Sequence, residues 1–152
     1  RTLLDDARAG DPPIAPSVSF DVNLPAAGAY DVYVCGCAPD LVGAERTSPA
    51  ANNGAVFVTL DSTPAVDANV LPAAITGFAG QPGFTWQNTW VDATTGSAGP
   101  VQVNTAEAGS RSLALAMADD GLIVESVQLV PADGSVAGPQ PGAACGPSAV
   151  TP

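Results

Sequence analysis

The strongest constraint on the fold lies in residues 111–130, RSLALAMADDGLIVESVQLV, where two alternating apolar and polar runs flank an acidic corner. Alternation with a period of two is typical of β-strands that bury one face. The apolar positions are Leu113, Leu115 and Met117 before the corner, and Val127 and Leu129 after it. Because Asp119-Asp120-Gly121 is a short turn-forming sequence, we predict that the two runs form a β-hairpin that closes an all-β domain.

Other alternating runs indicate further strands. Residues 17–24 and 29–37 are joined by Pro25-Ala26-Ala27-Gly28, so we predict that they form a second antiparallel hairpin. About seven short strands without an internal repeat predict an antiparallel β-sandwich or jelly roll. The remaining strands are predicted at 55–61, 84–91 and 101–104, with Pro- and Gly-rich connections at 38–54 and 62–83.

These strands divide the chain into three segments. Residues 17–131 form the predicted sandwich, residues 1–16 an extended N-terminal head and residues 132–152 a C-terminal tail. The head ends in the run DPPIAP, whose prolines keep it extended and exclude it from a central strand. The tail is rich in Pro and Gly and poor in core-forming residues, so we expect it to be flexible unless a bond fastens it.

The charge composition excludes several classes of function. The chain of 152 residues has 15 acidic residues against 4 basic ones, all arginines, and its net charge is −11. Such a surface repels nucleic acid and anionic lipid, so we expect neither as a partner. The absence of His and Lys removes His-dependent catalysis, His metal sites and Lys nucleophiles. We therefore predict that the protein is not an enzyme.

Composition also bears on where the protein acts. No apolar run approaches the roughly 18 residues of a membrane-spanning helix, so we expect no membrane insertion. An acidic, Lys-free chain rich in Thr, Ser, Pro and Gly is typical of exported bacterial proteins. The chain begins at Arg1 without a leader, and we expect it to be the mature or excised part of a protein at the cell surface or outside the cell.

The order of these patterns resembles a known family. SFDVNLPAAGAYDVYV, VFVTLD, a Trp-bearing strand and AGSRSLALAMADDGLIVESVQLV follow one another as in jelly-roll carbohydrate-binding modules of the family 6 and 35 type, which are galactose-binding-like. The resemblance covers residues 17–131 and implies a jelly roll that binds polysaccharide. Domains of this kind also serve as structural and adhesive modules.

The resemblance also implies a structural Ca²⁺. Glu125 falls at the position of an acidic ligand on the family's last strand, and Asp5 and Asp6 would supply carboxylates from the first strand. The head departs from the family here, because its prolines separate these residues from the first clear strand and it has no clean match to the family's pattern.

Aromatic side chains are the candidates for glycan contact. Trp86 and Trp90 are four residues apart on one predicted strand, so we expect them on the same face, where paired rings can stack on sugars. Tyr33 and Phe57, predicted on outward faces, are further candidates. We favour packing in the core or at a subunit interface for these rings and keep glycan contact as the alternative.

The acidic corner has three interpretations. Clustered carboxylates from Asp119, Asp120 and Glu125 can bind Ca²⁺, and paired carboxylates can hydrolyse glycosidic bonds. Asp-Asp-Gly is also an intrinsically favourable solvated turn. We favour the turn for Asp119 and Asp120 and keep Ca²⁺ binding as the hypothesis for Glu125.

Three cysteines, Cys35, Cys37 and Cys145, are disulfide candidates. Their spacing does not match a zinc site, and no His is present to complete one. A bond from Cys35 or Cys37 to Cys145 would clamp the tail and close a loop of roughly a hundred residues, worth about 4–5 kcal/mol in the chain-entropy model. The remaining thiol would be available for a bond to another chain; three reduced, buried thiols in a cytosolic protein are the alternative.

Two functions follow from these features. The first is a structural or adhesive subunit of a surface assembly, such as a filament of copies of this chain, in which Leu3 and Leu4 of the head add a strand to a neighbour's open sheet edge. The second is glycan binding through the aromatic candidates or the long connections. We favour assembly, because the chain has few cationic donors with which to anchor a glycan.

Overall fold

A computed structural model describes residues 17–38, 54–65, 72–79, 81, 83–92, 94–118 and 122–146. Over these residues the fold is an all-β sandwich built from antiparallel sheets, which confirms the predicted fold class. This part of the chain contains no helix long and apolar enough to cross a membrane. The head and the acidic corner at Asp119-Asp120-Gly121 lie outside the described residues.

The predicted strands at 17–24, 29–37 and 55–61 are all present, and so are the two runs of residues 111–130. The predicted strand at 84–91 is instead divided in two. The strands of the described residues are β1 (Ser17–Leu24), β2 (Gly28–Cys37), β3 (Val56–Leu60), β4 (Thr63–Pro64), β5 (Ala74–Ile75), β6 (Thr85–Gln87), β7 (Thr89–Val91), β8 (Ala98–Pro100), β9 (Gln102–Thr105), β10 (Gly109–Met117) and β11 (Ile123–Pro131).

Two sheets form the layers of the sandwich. Sheet A has the order β1-β10-β3, and β4 and β5 pair with the far edge of β3. Sheet B has the order β11-β2, and β9 and β6 pair with successive halves of the other edge of β2. Strands β7 and β8 form a separate two-stranded ribbon.

Both predicted hairpins are wrong, because the chain crosses from one sheet to the other between their strands. β10 pairs with β1 and β3, whereas β11 pairs with β2. β1 and β2 likewise lie in different sheets. A period of two shows that a strand buries one face, but strands facing each other across a sandwich have the same pattern as neighbours within a sheet.

The strands that flank the two crossing connections pair with each other, one pair in each sheet. β1 pairs with β10 along its whole length in sheet A, and β2 pairs with β11 along most of its length in sheet B. Each strand–connection–strand unit therefore contributes one strand to each layer. This arrangement leaves β1 and β11 at the ends of their sheets.

The core lies between the sheets and buries the alternating apolar faces of β2, β3 and β10. The buried side chains are Tyr30, Val32 and Val34 of β2, Val56, Val58 and Leu60 of β3, and Leu113 and Leu115 of β10. The connection after β4 adds Ile75 and Phe78, both fully buried, which its Pro and Gly content did not predict. Gly36 makes room for Phe78, since a β-carbon at position 36 would lie 3.0 Å from the ring.

Candidate functional site

Over the residues that the structure describes, strand β1 forms an open edge of sheet A. Among the described residues, β10 is the only strand that pairs with it. Val18 and Phe20 lie opposite Leu115 and Leu113, which are buried in the core, so their side chains project from the inward face of the sheet. They nevertheless remain 46% and 37% exposed. The inward face of sheet A is therefore only partly covered at this end.

Strand β11 ends sheet B on the same side of the sandwich. Its inward residues Val127 and Leu129 lie opposite Val34 and Val32 but are only half-buried, and Ile123 is exposed. A cleft of about 360 Å³ opens between β1 and β11. We call this cleft, together with the exposed side chains of Val18 and Phe20, the mouth of the sandwich. Its apolar lining comes from Val22, Leu24, Tyr30, Leu113, Val127 and Leu129.

The lining of the mouth is suited to binding apolar side chains. No carboxylate, cysteine or basic group lines the cleft in the described part of the chain, and its polar side chains are Asn23 and Gln128. The Tyr30 hydroxyl donates to the carbonyl oxygen of Ala26 at 2.8 Å, so it is already engaged. The described lining therefore consists mainly of apolar side chains, a composition suited to packing against other apolar groups.

The two tryptophans do not form a paired platform, and the burial of Trp90 agrees with the core packing that the sequence analysis favours. Trp90 is buried in the core and packs on Gly99, whose β-carbon, if present, would lie 3.2 Å from Trp90 Nε1. Trp86 is half-buried in β6 opposite Cys35, on the outer face of sheet B. The strand divides at Asn88, whose carbonyl oxygen accepts the N–H of Val101 at 2.7 Å, and the chain leaves sheet B there.

Tyr33 lies on the outer face of sheet B, as predicted, but the tail covers it. It is 8% exposed, and Gly138 lies directly against its ring. Burial raises the pKa of the Tyr33 hydroxyl, the Asp31 carboxylate raises it further, and a hydrogen bond from Asn88 offsets part of the effect. The phenol is therefore neutral and enclosed, and it offers no open surface to a sugar. Phe57 is half-buried in sheet A.

A disulfide fastens the tail, and it uses Cys35, one of the two partners considered for Cys145. Cys35 bonds to Cys145, and the two residues are 110 positions apart. The tail also pairs with β6: Gly142 donates to Trp86 O at 2.7 Å, and Trp86 donates to Ala143 O at 2.9 Å. The tail therefore covers the edge of β6 in sheet B. Cys37 is a free, half-buried thiol.

Of the predicted Ca²⁺ ligands, Glu125 alone lies in the described part of the structure. Glu125 is exposed at a β-bulge, because β11 gains one residue relative to β2 between Val124 and Ser126. Asp5 and Asp6 lie outside the described residues. In the ranges that the structure describes, no three His, Cys, Asp or Glu side chains are grouped to hold a metal ion.

The resemblance to carbohydrate-binding modules rests on the sequence patterns. No family model, curated protein or solved structure matches the chain. Function is therefore argued from the surfaces just described, the mouth and the disulfide-fastened tail.

Sequence reasoning identified the residues of the mouth but not the mouth itself. The alternation in residues 17–24 puts Val18, Phe20 and Val22 on one apolar face, and the pairing of β1 with β10 agrees with this. Their exposure depends on β1 being at the end of its sheet, and the predicted β1–β2 hairpin concealed this. Residues 17–24 contain neither Pro nor Lys, the residues that usually protect an exposed edge strand. This absence indicates an open edge only once the strand is known to lie at the end of its sheet.

Proposed function

We propose that the protein is a non-catalytic structural subunit that assembles with copies of itself outside the cell. The observation that supports this most strongly is the open edge of β1 beside the apolar mouth. Edge strands expose backbone donors and acceptors that can pair with another chain, and exposed apolar surface favours burial on association. An assembly would satisfy both requirements at once.

The contrast between the two edge strands supports the proposal. β11 carries the bulge at Glu125 and ends at Pro131, and both features discourage pairing with another strand. β1 has neither a bulge nor a proline over its eight residues, and its register with β10 is regular throughout. Proteins that stay monomeric usually protect such an edge. A regular edge without bulge or proline, as in β1, therefore favours pairing with a strand of a partner.

The Cys35–Cys145 disulfide supports the location. Disulfides form and persist mainly in oxidising compartments, such as the bacterial periplasm and the extracellular space. An assembly outside the cell cannot rely on chaperones or ATP, and a tail locked to sheet B keeps the subunit folded there. The acidic, Lys-free composition agrees with export.

The oligomeric state of the purified chain tests this proposal. We expect light scattering after size exclusion to give a mass above that of the monomer, and negative-stain images to show defined oligomers or filaments. Phe20→Asp should reduce the mass to the monomer, because it places a charge in the mouth. Val91→Asp is the matched control, because Val91 is similarly exposed on β7. A wild-type protein that is monomeric at every soluble concentration would refute the proposal.

Polysaccharide binding is the competing proposal, and Trp86 supports it, because this ring is neither in the core, as Trp90 is, nor beneath the tail, as Tyr33 is. A single half-buried ring provides less stacking surface than a pair of exposed tryptophan rings would. A glycan array with wild type and Trp86→Ala compares the two proposals directly.

A further inference from the structure

The hydrogen bonds of β10 determine which backbone groups of β1 face the open edge. Ser112 donates its N–H to Asp61 Oδ1 at 2.9 Å, and its carbonyl oxygen accepts the N–H of Asp61 at 2.8 Å. Both groups therefore point toward β3 and away from β1. Asp21 lies opposite Ser112, so the pair is not hydrogen-bonded, and Asp21 directs its own N–H and C=O outward.

Alternation along the strand extends this result. Ser17, Ser19, Asp21 and Asn23 present their backbone donors and acceptors at the open edge. Val18, Phe20 and Val22 bond to β10 through their backbones and project their side chains into the mouth. A strand that adds to β1 must match this hydrogen-bonding phase and place apolar side chains on the mouth side.

Strand β1 of a second copy satisfies both requirements. In an antiparallel pair, residues directly opposite each other lie on the same face of the sheet. Two copies of β1 therefore match in face and phase when a residue, rather than a peptide bond, lies on the twofold axis. The central candidates for that residue are Ser19, Phe20 and Asp21.

Charge and pairing length select among these three registers. With Asp21 on the axis, two Asp21 carboxylates would be directly opposite each other and would repel. With Ser19 on the axis, only residues 17–21 would pair. With Phe20 on the axis, residues 17–23 pair, and each Asp21 faces the hydroxyl of Ser19 of the partner subunit.

We propose that β1 pairs antiparallel with β1 of a second copy, with Phe20 on the twofold axis. This inference rests on the proposed function and names the interface that begins the assembly. Val18 then packs opposite Val22 of the partner subunit, and the two Phe20 rings meet on the mouth side of a continuous sheet. The contact is isologous, because each copy uses the same surface.

The head is a weaker occupant of the mouth on sequence grounds. In an extended TLLDDARA segment, Leu3 shares a face with Asp5, and Leu4 shares the other face with Asp6. Either face would place a carboxylate among the apolar side chains of the mouth, at a cost in desolvation. β1 has no charge on its apolar face.

Cysteine cross-linking tests the register, with Cys37→Ser as the background to remove the free thiol. Phe20→Cys should form a disulfide-linked dimer under mild oxidation, because a non-hydrogen-bonded pair has a Cα separation of about 4.5 Å. Val18→Cys alone and Val22→Cys alone should not link, since their copies are more than about 13 Å apart. A mixture of these two variants should link.

Each other outcome overturns the proposal. Self-linking at position 19 or 21 instead of 20 would refute the register. Linking only after deletion of residues 1–16 would show that the head occupies the mouth. Assembly without linking anywhere in β1 would refute this interface while leaving the proposed function intact, whereas a strictly monomeric wild type would refute both.

Charge at position 19 gives an independent readout without new covalent chemistry. Ser19 and Asp21 are both exposed, so substitutions at Ser19 should leave the monomer folded. Ser19→Lys introduces two opposite-charge pairs with Asp21 across the interface and should tighten the dimer Kd about 2- to 30-fold. Ser19→Asp should weaken it by a similar factor. Equal Kd values for the two variants, measured by sedimentation equilibrium, would contradict the register.

Discussion

Gly138 allows the tail to lie flat against Tyr33. A methyl group at this position would overlap the Tyr33 ring and hydroxyl. The glycine is therefore required by close approach, since no positive backbone φ is recorded for it. The tail therefore packs so closely on the outer face of β2 at Tyr33 that position 138 has no room for a side chain.

Replacing Gly138 with alanine should lower the free energy of unfolding by about 1–3 kcal/mol, because the tail must lift from Tyr33 or the ring must move. Urea unfolding measures this change. Gly83→Ala is the matched control, because no atom lies within 4 Å of a β-carbon at position 83 and no positive φ is recorded there. Equal losses in the two variants would contradict the role of Gly138.

The tail pairs with the edge of β6 through a short antiparallel bridge at Ala144. Its backbone bonds with β6 and the Cys35–Cys145 disulfide both lie between residues 142 and 145. Sequence composition alone predicts a flexible tail, and Cys145 was the single residue that indicated otherwise. The Pro- and Gly-rich tail is held in place here because the disulfide and the unpaired edge of β6 both contact residues 142–145.

Loss of the disulfide should release this element. Cys145→Ser should reduce the free energy of unfolding by about 2–5 kcal/mol and make residues 132–146 sensitive to proteases. Cys37→Ser removes a thiol but no bond, so it should cost much less. Denaturant unfolding and limited proteolysis of both variants provide the comparison, and similar stabilities would contradict the fastening role of the disulfide.

On the scale of the whole molecule, the net charge opposes association. Each chain carries −11, so two copies repel over distances comparable to the Debye length, about 30 Å at 0.01 M salt and 10 Å at 0.1 M. The proposed interface is apolar on the mouth side and contains no ion pair. Its stability should therefore depend on salt in the opposite direction from an interface held by charge.

Dimerisation should strengthen several-fold as sodium chloride is raised from about 0.01 to about 0.3 M, because screening removes the repulsion while apolar burial is unaffected. Sedimentation equilibrium across this range measures the change. The Ser19→Lys variant should respond less, since screening also weakens the pairs that it introduces. A wild-type dimer that dissociates as salt rises would show that charge pairs hold it together.

The sequence by itself determined where most strands lie and which faces of β2, β3 and β10 are apolar, and it marked Cys145 as the candidate for fastening the tail. These are local properties, because alternation along a strand reports its own two faces. Only the tertiary structure decided which strands pair, that Trp90 belongs to the core, and that β1 is an open edge beside a mouth. Those outcomes depend on whether a connection turns within a sheet or crosses between sheets. Turn sequences such as Pro-Ala-Ala-Gly allow either course, and the packing of the whole sandwich selects one.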